Sequence, residues 1–554
     1  MKRAFLKGLK KRGHMNSLLK LTKIFSLFAL CLFTSCKSSN SKNDKIADTK
    51  SVSSQKLKIN IVAEPYSLDP RKAKSLNDIN ISKMFMEGLT RINKDDEATL
   101  AQAASISVSD DQLSYTIKLK ESKWSNGDSV TAQDFVYAWK KTLSPDFASD
   151  NAYQLFVIKN AKDIKNGNLP ASLLGVSCFD EKTIVVELEH PVPYLEKLLA
   201  LPVFFPVNQK SDKKNANWAS NSETFLSNGP FKMIEWNHHD RIVAVKNPFY
   251  WDKNKVNLDE IEMLMVSEDT GIKMFENNSI DWEGSPFSAI PIDAIPHFEK
   301  NQKLEKRPAL ATYFIATNTK KKLFESLNIR KALAFSIDRN SLVNHALHGS
   351  QTPTTGFVPL NMGLQDQPYF EDCNLILAKE CLEIGLKESR LEKKDFKLIK
   401  LSYPASDKMH RIAQVIQQQW LENLDILIEL EGLEPKIYFS NLSSKNFDLA
   451  ISSWFADFND PVNFLEIFSS KENGSNRTQW EDPAIAEELN SSYSKSNPLD
   501  RINALKNIEK CIIEAMPIIP LSNQDFMYVK NSRVQGLDIN SMGEIDFKFA
   551  YLKD

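Results

Sequence analysis

Over residues 115–119 the side chains alternate: Tyr115, Ile117 and Leu119 are apolar, Thr116 and Lys118 polar, the period-two pattern of a strand with one buried face. Ser125-Asn126-Gly127-Asp128 interrupts the pattern as a turn, with Gly127 free to take a positive φ. Thr131 and Asp134 stand three apart, just ahead of Phe135, Val136, Ala138 and Trp139. That is the spacing at which an N-cap hydroxyl and an N3 carboxylate satisfy the first amides of a helix, so a helix is predicted to start near Ala132.

The same reading extends along the chain. Residues 56–63 alternate as a strand, 79–89 read as a helix, and 183–189 turn Ile184, Val186 and Leu188 to one face. Pro191-Val192-Pro193-Tyr194 opens a helix, and Ser227-Asn228-Gly229-Pro230 is a turn entering a strand at Phe231. Residues 328–336 are predicted helical, with Asp338 or Asn340 capping the next helix. The spans 370–386 and 410–424 carry the i, i+3, i+4 apolar spacing of amphipathic helices. Residues 447–454 form a largely apolar run of strand length, read as buried in a sheet. Residues 501–516 are helical, and Ile518-Ile519-Pro520-Leu521 leads into terminal strands. Strands and helices interleave throughout, which makes the class α/β.

With 554 residues and 42% apolar content the chain is long enough for about three domains. Its 70 basic and 71 acidic residues leave a net charge of −1, so no whole-chain field favours nucleic acid or an anionic membrane. The first 35 residues read as a secretory signal: eight Lys or Arg between Lys2 and Lys23, an apolar run over 24–33, then Thr34-Ser35-Cys36. The run is short for a bilayer span. A start at Met15 would leave a basic region of ordinary length. Residues 37–55, rich in Ser, Lys, Asn and Asp, suit a flexible tether. Cys373 and Cys381 fall on one helical pattern about 12 Å apart in rise, out of disulfide reach. With Cys178 and Cys511 counted, most or all of the four are expected to be buried free thiols.

The sequence lacks G-x-S-x-G, P-loop, H-E-x-x-H and C-x-x-C patterns, so neither an enzyme nor an ATPase is read from motifs. His345 and His348 are three apart without a carboxylate at zinc spacing, and no metal or cofactor is expected.

Several strings resemble one known family in order and wording: YTIKLKESKWSNGDSVTAQDFVYAW over 115–139, Glu64-Pro65-Tyr66-Ser67-Leu68-Asp69-Pro70, Gly88-Leu89-Thr90, Asn247-Pro248-Phe249-Tyr250-Trp251-Asp252, and Trp454-Phe455-Ala456-Asp457-Phe458-Asn459-Asp460-Pro461. The family is the extracytoplasmic oligopeptide/dipeptide-binding proteins of ABC importers, solute-binding family 5, and the resemblance covers about residues 56–551. It implies a two-lobed periplasmic-binding-protein fold, type II and of the three-domain peptide-binding variety, with a hinge and an interlobe cleft. By the same analogy, domain I takes residues 56–86, 206–309 and 528–554, domain II 87–205, and domain III 310–527. Thr34-Ser35-Cys36 resembles a bacterial lipobox, which implies cleavage after Ser35, lipid on Cys36 and an exported protein tethered to the membrane.

The resemblance also implies a binding site. Asp457 matches the aspartate that pairs with a peptide's α-ammonium, an enclosed charge-assisted hydrogen bond. Taken alone, a loop aspartate caps a turn or faces water; the match is what singles out Asp457. Ligand backbone is expected along strand edges at Ser453-Trp454-Phe455 and at Lys74-Ser75-Leu76, as in β-augmentation. Tyr313, Phe314 and Asn151 match cleft-lining positions. The carboxyl end departs from the family, with Ala334, Met409 and Ile451 where relatives carry cations, Pro435 for a cleft tryptophan and Ala316 for a cleft glutamate. Adjacent His410 and Arg411, or Arg477, are the candidate replacements. The implied function is a monomeric, non-enzymatic receptor that hands peptides to ABC permease transmembrane subunits with their ATPases. The alternatives are the same fold holding a restricted solute (a wall-derived peptide, dipeptide, nickel complex or haem) and a surface lipoprotein with an adhesion or scaffold role.

Overall fold

A computed structural model describes residues 55–73, 75–495 and 497–553. The signal segment, Cys36 and Lys74 lie outside these residues, as does nearly all of the expected tether. After β1 (Lys56–Asn60), a four-stranded antiparallel sheet is built from β2 (Ala103–Val108), β3 (Ser114–Leu119), β4 (Val176–Asp180) and β5 (Thr183–Glu187), in the order β2-β3-β5-β4. The chain then lays down β6 (Phe231–Asn237), β7 (Arg241–Lys246), β8 (Glu260–Leu264) and β9 (Trp282–Gly284). They are followed by β10 (Glu305–Thr317), β11 (Gln351–Pro353), β12 (Lys400–Pro404), β13 (Glu429–Leu433), β14 (Leu449–Phe455) and β15 (Ile518–Lys530). Among the described residues eleven strands share one sheet, ordered β13-β12-β14-β10-β15-β9-β1-β8-β7-β6, with β11 also on β15.

Of three apolar cores among the described residues, the two large ones divide this sheet. The first gathers Leu57, Trp139, Phe204, Ala311, Phe526 and Tyr528, and the second gathers Phe314, Leu333, Trp420, Ile512 and Leu521. The change of core therefore falls between Ala311 and Phe314 on β10 and between Leu521 and Phe526 on β15. These are the two 13-residue strands that run from one lobe into the other. Their ladder slips in register between Pro308 and Thr312, and again between Tyr313 and Phe314. A slip leaves residues unpaired and loosens the ladder locally, so the strands are weakest as a pair where the cores change.

Local chemistry explains the elements that flank the lobes. The helix Ala132–Thr142 begins where expected, and the Asp134 carboxylate accepts from the Thr131 N–H at 3.0 Å and from its hydroxyl at 3.2 Å. Gly88 follows the helix Leu76–Phe85 at a close crossing: a Cβ there would meet the Phe205 ring at 2.6 Å and the Leu199 carbonyl at 2.7 Å. Two expectations fail. Cys373 is not helical but sits at φ 55° in the loop before the helix Leu375–Ser389, whose true start is the Asn374 cap. The four described thiols are free, yet only Cys381 is buried and Cys511 is exposed, because Cys511 lies on the outward face of the helix Pro498–Ala515. No described helix is long and apolar enough to cross a membrane.

Candidate functional site

The strand β14 carries the candidate site. On one side it pairs along its whole length with β10, from Ala311 opposite Phe455 to Thr317 opposite Leu449. On the other, among the described residues only Leu449 and Ala450 meet a strand, at Leu401 and Ser402 of β12. Just outside β14, the Asp448 carbonyl accepts from Asn318 N–H and the Ala456 N–H donates to the Leu310 carbonyl, both toward β10. Backbone groups of successive residues turn to opposite sides of a strand. Even-numbered residues therefore face β10, and Ile451, Ser453 and Phe455 face the open side. Ile451's carbonyl is taken by the Tyr438 hydroxyl at 2.5 Å. Ser453 and Phe455 have no strand partner there among the described residues, so an edge is open to an added strand.

Past this edge the loop 456–461 reaches the other lobe. Phe458 stacks on Tyr194, with ring centroids 4.5 Å apart and planes 10° from parallel, and belongs to the first lobe's core. The Asn459 carbonyl accepts from Lys197 Nζ at 2.8 Å. Between these contacts sits Asp457. Its Oδ2 accepts from the Tyr153 hydroxyl of the first lobe at 2.6 Å and from Asn463 Nδ2 at 3.3 Å, and no cation pairs with it among the described residues. Burial raises its pKa from the ordinary carboxylate value, opposed by those two donors. Glu466 lies close by with its carboxyl pushed up to about 7, by burial first and then by the charges of Asp457 and Asp460. Asp460 is itself paired bidentately with Arg501 at 2.8 and 2.9 Å. The loop thus presents uncompensated negative charge to the space between the lobes.

Asn463, which the sequence reading passed over, sets this geometry. It is buried, and its Oδ1 accepts from both Trp454 Nε1 at 3.1 Å and Asp457 N–H at 3.0 Å. Tyr153 was also missed, although it lies two residues beyond Asn151. Asn151 holds the Ala73 carbonyl through Nδ2 at 2.5 Å, tying the first lobe's loops together. Ser75 and Leu76 do not form a strand edge. Ser75 is the N-cap of the helix Leu76–Phe85, with its hydroxyl accepting from Asp78 N–H, and Leu76 is the first helical residue. Tyr313 lies opposite Ser453, with Lys408 Nζ 5.0 Å from its ring. Phe314 packs edge-on to Phe357 at 5.2 Å.

Phe314, Trp454 and Arg477 share a small cavity of about 50 Å³ with Ser452, Phe468 and Thr478. Two larger cavities hold none of the expected site residues. One of about 460 Å³ in the first lobe is lined by Arg91, Glu87 and Asp546, which pair with one another. The other, of about 560 Å³ in the second lobe, lies beside the Arg339–Asp372 pair at 2.7 Å. Ala334, Met409 and Ile451 are buried. Of the candidate replacement cations, His410 is engaged by the Tyr403 hydroxyl at 2.6 Å and Arg411 faces Asp293 at 3.5 Å. Arg477 is left without an ion pair among the described residues.

Comparison with known proteins matches residues 97–476 to the model of the bacterial extracellular solute-binding proteins, family 5. The chain is 38% identical to the oligopeptide-binding protein OppA of Bacillus subtilis over 97% of this chain and 99% of that protein. It is 32% identical to the dipeptide-binding protein DppE of the same organism, over 89% and 91%. Among solved structures it resembles Haemophilus influenzae OppA in complex with the peptide RPPGFSPFR, with a TM-score of 0.78, 27% identity, and coverage of 91% of this chain and 99% of that one.

Proposed function

Because the chain belongs to the bacterial extracellular solute-binding proteins of family 5, we propose that it is the extracytoplasmic receptor of an ABC importer, enclosing a peptide between its lobes and delivering it to the permease. The relatives it matches bind oligopeptides and dipeptides by name, and one of them holds a nine-residue peptide in its structure. The observation that carries the reading is Asp457: a half-buried carboxylate with no cation of its own, between the lobes, at the end of the open β14 edge. An α-ammonium supplies the missing charge, and extended ligand backbone supplies the missing strand. Specificity for main chain rather than side chain follows, because the groups offered are those every peptide can meet. Ser453, Trp454, Phe455, Tyr313, Phe314, Asn151, Ser75 and Leu76 are proposed to line the ligand, the last two as a helix start rather than an edge. Domain limits near 309/310 and 527/528 are proposed as the hinge, a reading supported by the core change on β10 and β15. Lipid on Cys36 is proposed to hold the monomeric receptor at the membrane beside the permease subunits and their ATPases.

The test is calorimetric titration of the mature receptor with alanine peptides bearing free or acetylated amino ends. Asp457→Asn keeps an acceptor for Tyr153 but removes the charge. It is expected to cost about 1.5–3 kcal/mol, roughly ten- to a hundredfold in affinity, for the free-amine peptides. Acetylated peptides, weak to begin with, should lose little more. Equal affinity of parent and variant for the free amines would remove Asp457 as the anchor, and no binding by the parent would remove the peptide reading.

A further inference from the structure

The first lobe's cavity of about 460 Å³ is bordered by none of the residues proposed to line the peptide, and it has the size that takes a small organic molecule. Its interior is apolar: Met86, Gly88, Ala200, Phe205 and Ile545 are buried around it, and Phe549 stands exposed at its rim. Its walls are ion pairs. Lys83 meets Glu544, and Arg91 meets Asp546 and, at 2.8 Å, Glu87. Glu87 is fixed in turn by the Tyr250 hydroxyl and the Trp251 indole, each at 2.6 Å, and by Gln102 Nε2 at 2.7 Å. The fold itself holds these side chains, so a ligand need not order them. Of the charged lining residues five are carboxylates and three are cations. The excess lies at the rim, where Asp95 and Asp538 are exposed and Asp538 faces Lys530 at 3.8 Å. Lys548, whose ammonium is 5.2 Å from the Phe549 ring, is committed to Asp252 at 2.6 Å. An apolar body with a positive head matches such a space: the body covers the apolar interior and the head meets the acidic rim.

The rim of this cavity is tied to the proposed hinge. Asn93, Lys94 and Asp95 border it from the turn between the hairpin strands Thr90–Ile92 and Ala98–Leu100, and Asn540 borders it from the C-terminal segment. Asp96, next in that turn, accepts from the Ser541 N–H at 2.8 Å and from its hydroxyl at 2.7 Å. The Ser541 carbonyl accepts from Leu310 N–H at 2.8 Å, and Arg307 Nη2 donates to the Lys94 carbonyl at 3.3 Å. Arg307 and Leu310 stand on either side of Pro308, where the ladder of β10 with β15 first slips. Leu310 lies inside that slip, and its carbonyl accepts at 2.8 Å from the N–H of Ala456, the residue before Asp457. One residue of the hinge strand therefore joins the cavity's shell to the loop of the proposed ligand anchor. These bonds are made while Phe458 is seated in the first lobe's core. An occupant that braces the rim favours the arrangement in which they are made.

We propose that this cavity is an effector site: it takes a small organic cation, an amine on an aromatic or aliphatic body, and its occupancy favours lobe closure through the turn 93–97, Ser541 and the hinge strand. The site and its ligand class stand on the cavity alone, whereas the effect on closure rests on the peptide-receptor reading above and deepens it. By linkage the two ligands reinforce each other equally, so the amine raises peptide affinity by the factor by which the peptide raises amine affinity.

The experiment titrates the mature receptor by calorimetry and saturation-transfer NMR with phenethylamine and octylamine, and with 3-phenylpropionate and octanoate as their anionic counterparts. The parent should bind the amines at least about tenfold more tightly than the anions. Asp95→Asn/Asp538→Asn evens the charge count without touching the Arg91 pairs and should lose most of that preference. Ile92→Trp fills the cavity from a half-buried lining position and should lose amine binding. Asp457→Asn should bind the amines as the parent does. With tetra-alanine as the peptide, saturating phenethylamine should raise the parent's peptide affinity at least about fivefold. Arg307→Gln cuts the tie to Lys94 outside the cavity, so it should keep amine binding and shrink that gain. A parent that binds none of the amines overturns the site and leaves the receptor reading intact. Amine binding that survives Ile92→Trp, or that Asp457→Asn abolishes, places the amines elsewhere and also overturns the site. Amines held in the cavity with peptide affinity unchanged overturn the effector role, and a gain undiminished in Arg307→Gln overturns the route through the hinge strand. A parent that holds amines in the cavity but binds no tetra-alanine overturns the receptor reading and the effector role with it, while the site stands. Thermal melts establish that the variants fold; if Ile92→Trp does not, the two exposed Asn substitutions carry the same comparison.

Discussion

Glu466 is half-buried within charge range of Asp457, and of the two only Asp457 has side-chain hydrogen-bond donors turned on it among the described residues, from Tyr153 and Asn463. The Glu466 carboxyl, raised to about 7, is held partly protonated near neutrality by burial and by its acidic neighbours. Tyr153, Tyr194, Tyr493 and the Arg501–Asp460 pair are the other titratable groups about it. In the binding mode proposed above, an arriving α-ammonium reverses the local potential, lowers that pKa toward its ordinary value and releases a proton. The sign follows: the bound state holds fewer protons, so affinity rises with pH between about 4.5 and 7 and levels off above that window, until the ligand amine itself loses its charge near pH 8. Titrations at pH 6 in buffers of low and high ionisation enthalpy should show a fraction of a proton released by the parent. Glu466→Gln should release less. Identical apparent heats in both buffers for the parent would end this account.

Elements place these residues, and Asn463 is the hinge-pin of one of them. Its single amide holds the Trp454 indole, the Asp457 N–H and the Asp457 carboxylate. Asn463→Ala leaves two part-buried donors unmet and is expected to destabilise the second lobe by about 1–3 kcal/mol. As a positioning residue it should also shrink the preference for free-amine over acetylated peptides about tenfold. A melting temperature that falls while that preference stays whole would make Asn463 merely structural. The sequence carried the elements whose cause is local: the alternation of Tyr115, Ile117 and Leu119 is β3, and Thr131 with Asp134 starts the helix at Ala132. Where two local signals competed, the cap won, so Asn374 starts its helix four residues after Phe370 despite the apolar spacing there, and Ser75 caps a helix where an edge was expected. Asp457 is a candidate only through the wording of its loop, since nothing in a short window distinguishes it from a surface aspartate. Tyr153 is 304 positions away from Asp457, and Asn463 acts through folded geometry, so neither left a signal that spacing could reveal.

At the scale of the molecule, the two cores are joined through β10 and β15 and meet again at the loop 456–461. Phe458 is a second-lobe residue buried in the first lobe's core, stacked on Tyr194. His190 and Tyr493 stack nearby at 4.7 Å, and Arg411 faces Asp293. Each lobe keeps its own interior without these contacts, so they stabilise closure rather than folding. Removing a buried aromatic costs about 3–5 kcal/mol where it belongs to a core; here the loss falls on the closed state, because the lobes can part about the register slips between Pro308 and Phe314. Phe458→Ala should therefore melt close to the parent temperature yet populate open forms, with a larger radius of gyration in solution scattering. Ligand would have to supply the lost closure energy, and peptide affinity should fall at least about tenfold, mainly through faster dissociation. Adding saturating peptide should restore the compact scattering profile. A variant that unfolds outright would show that the two cores are one cooperative unit, and a variant that stays compact with unchanged dissociation would show that closure does not depend on this ring.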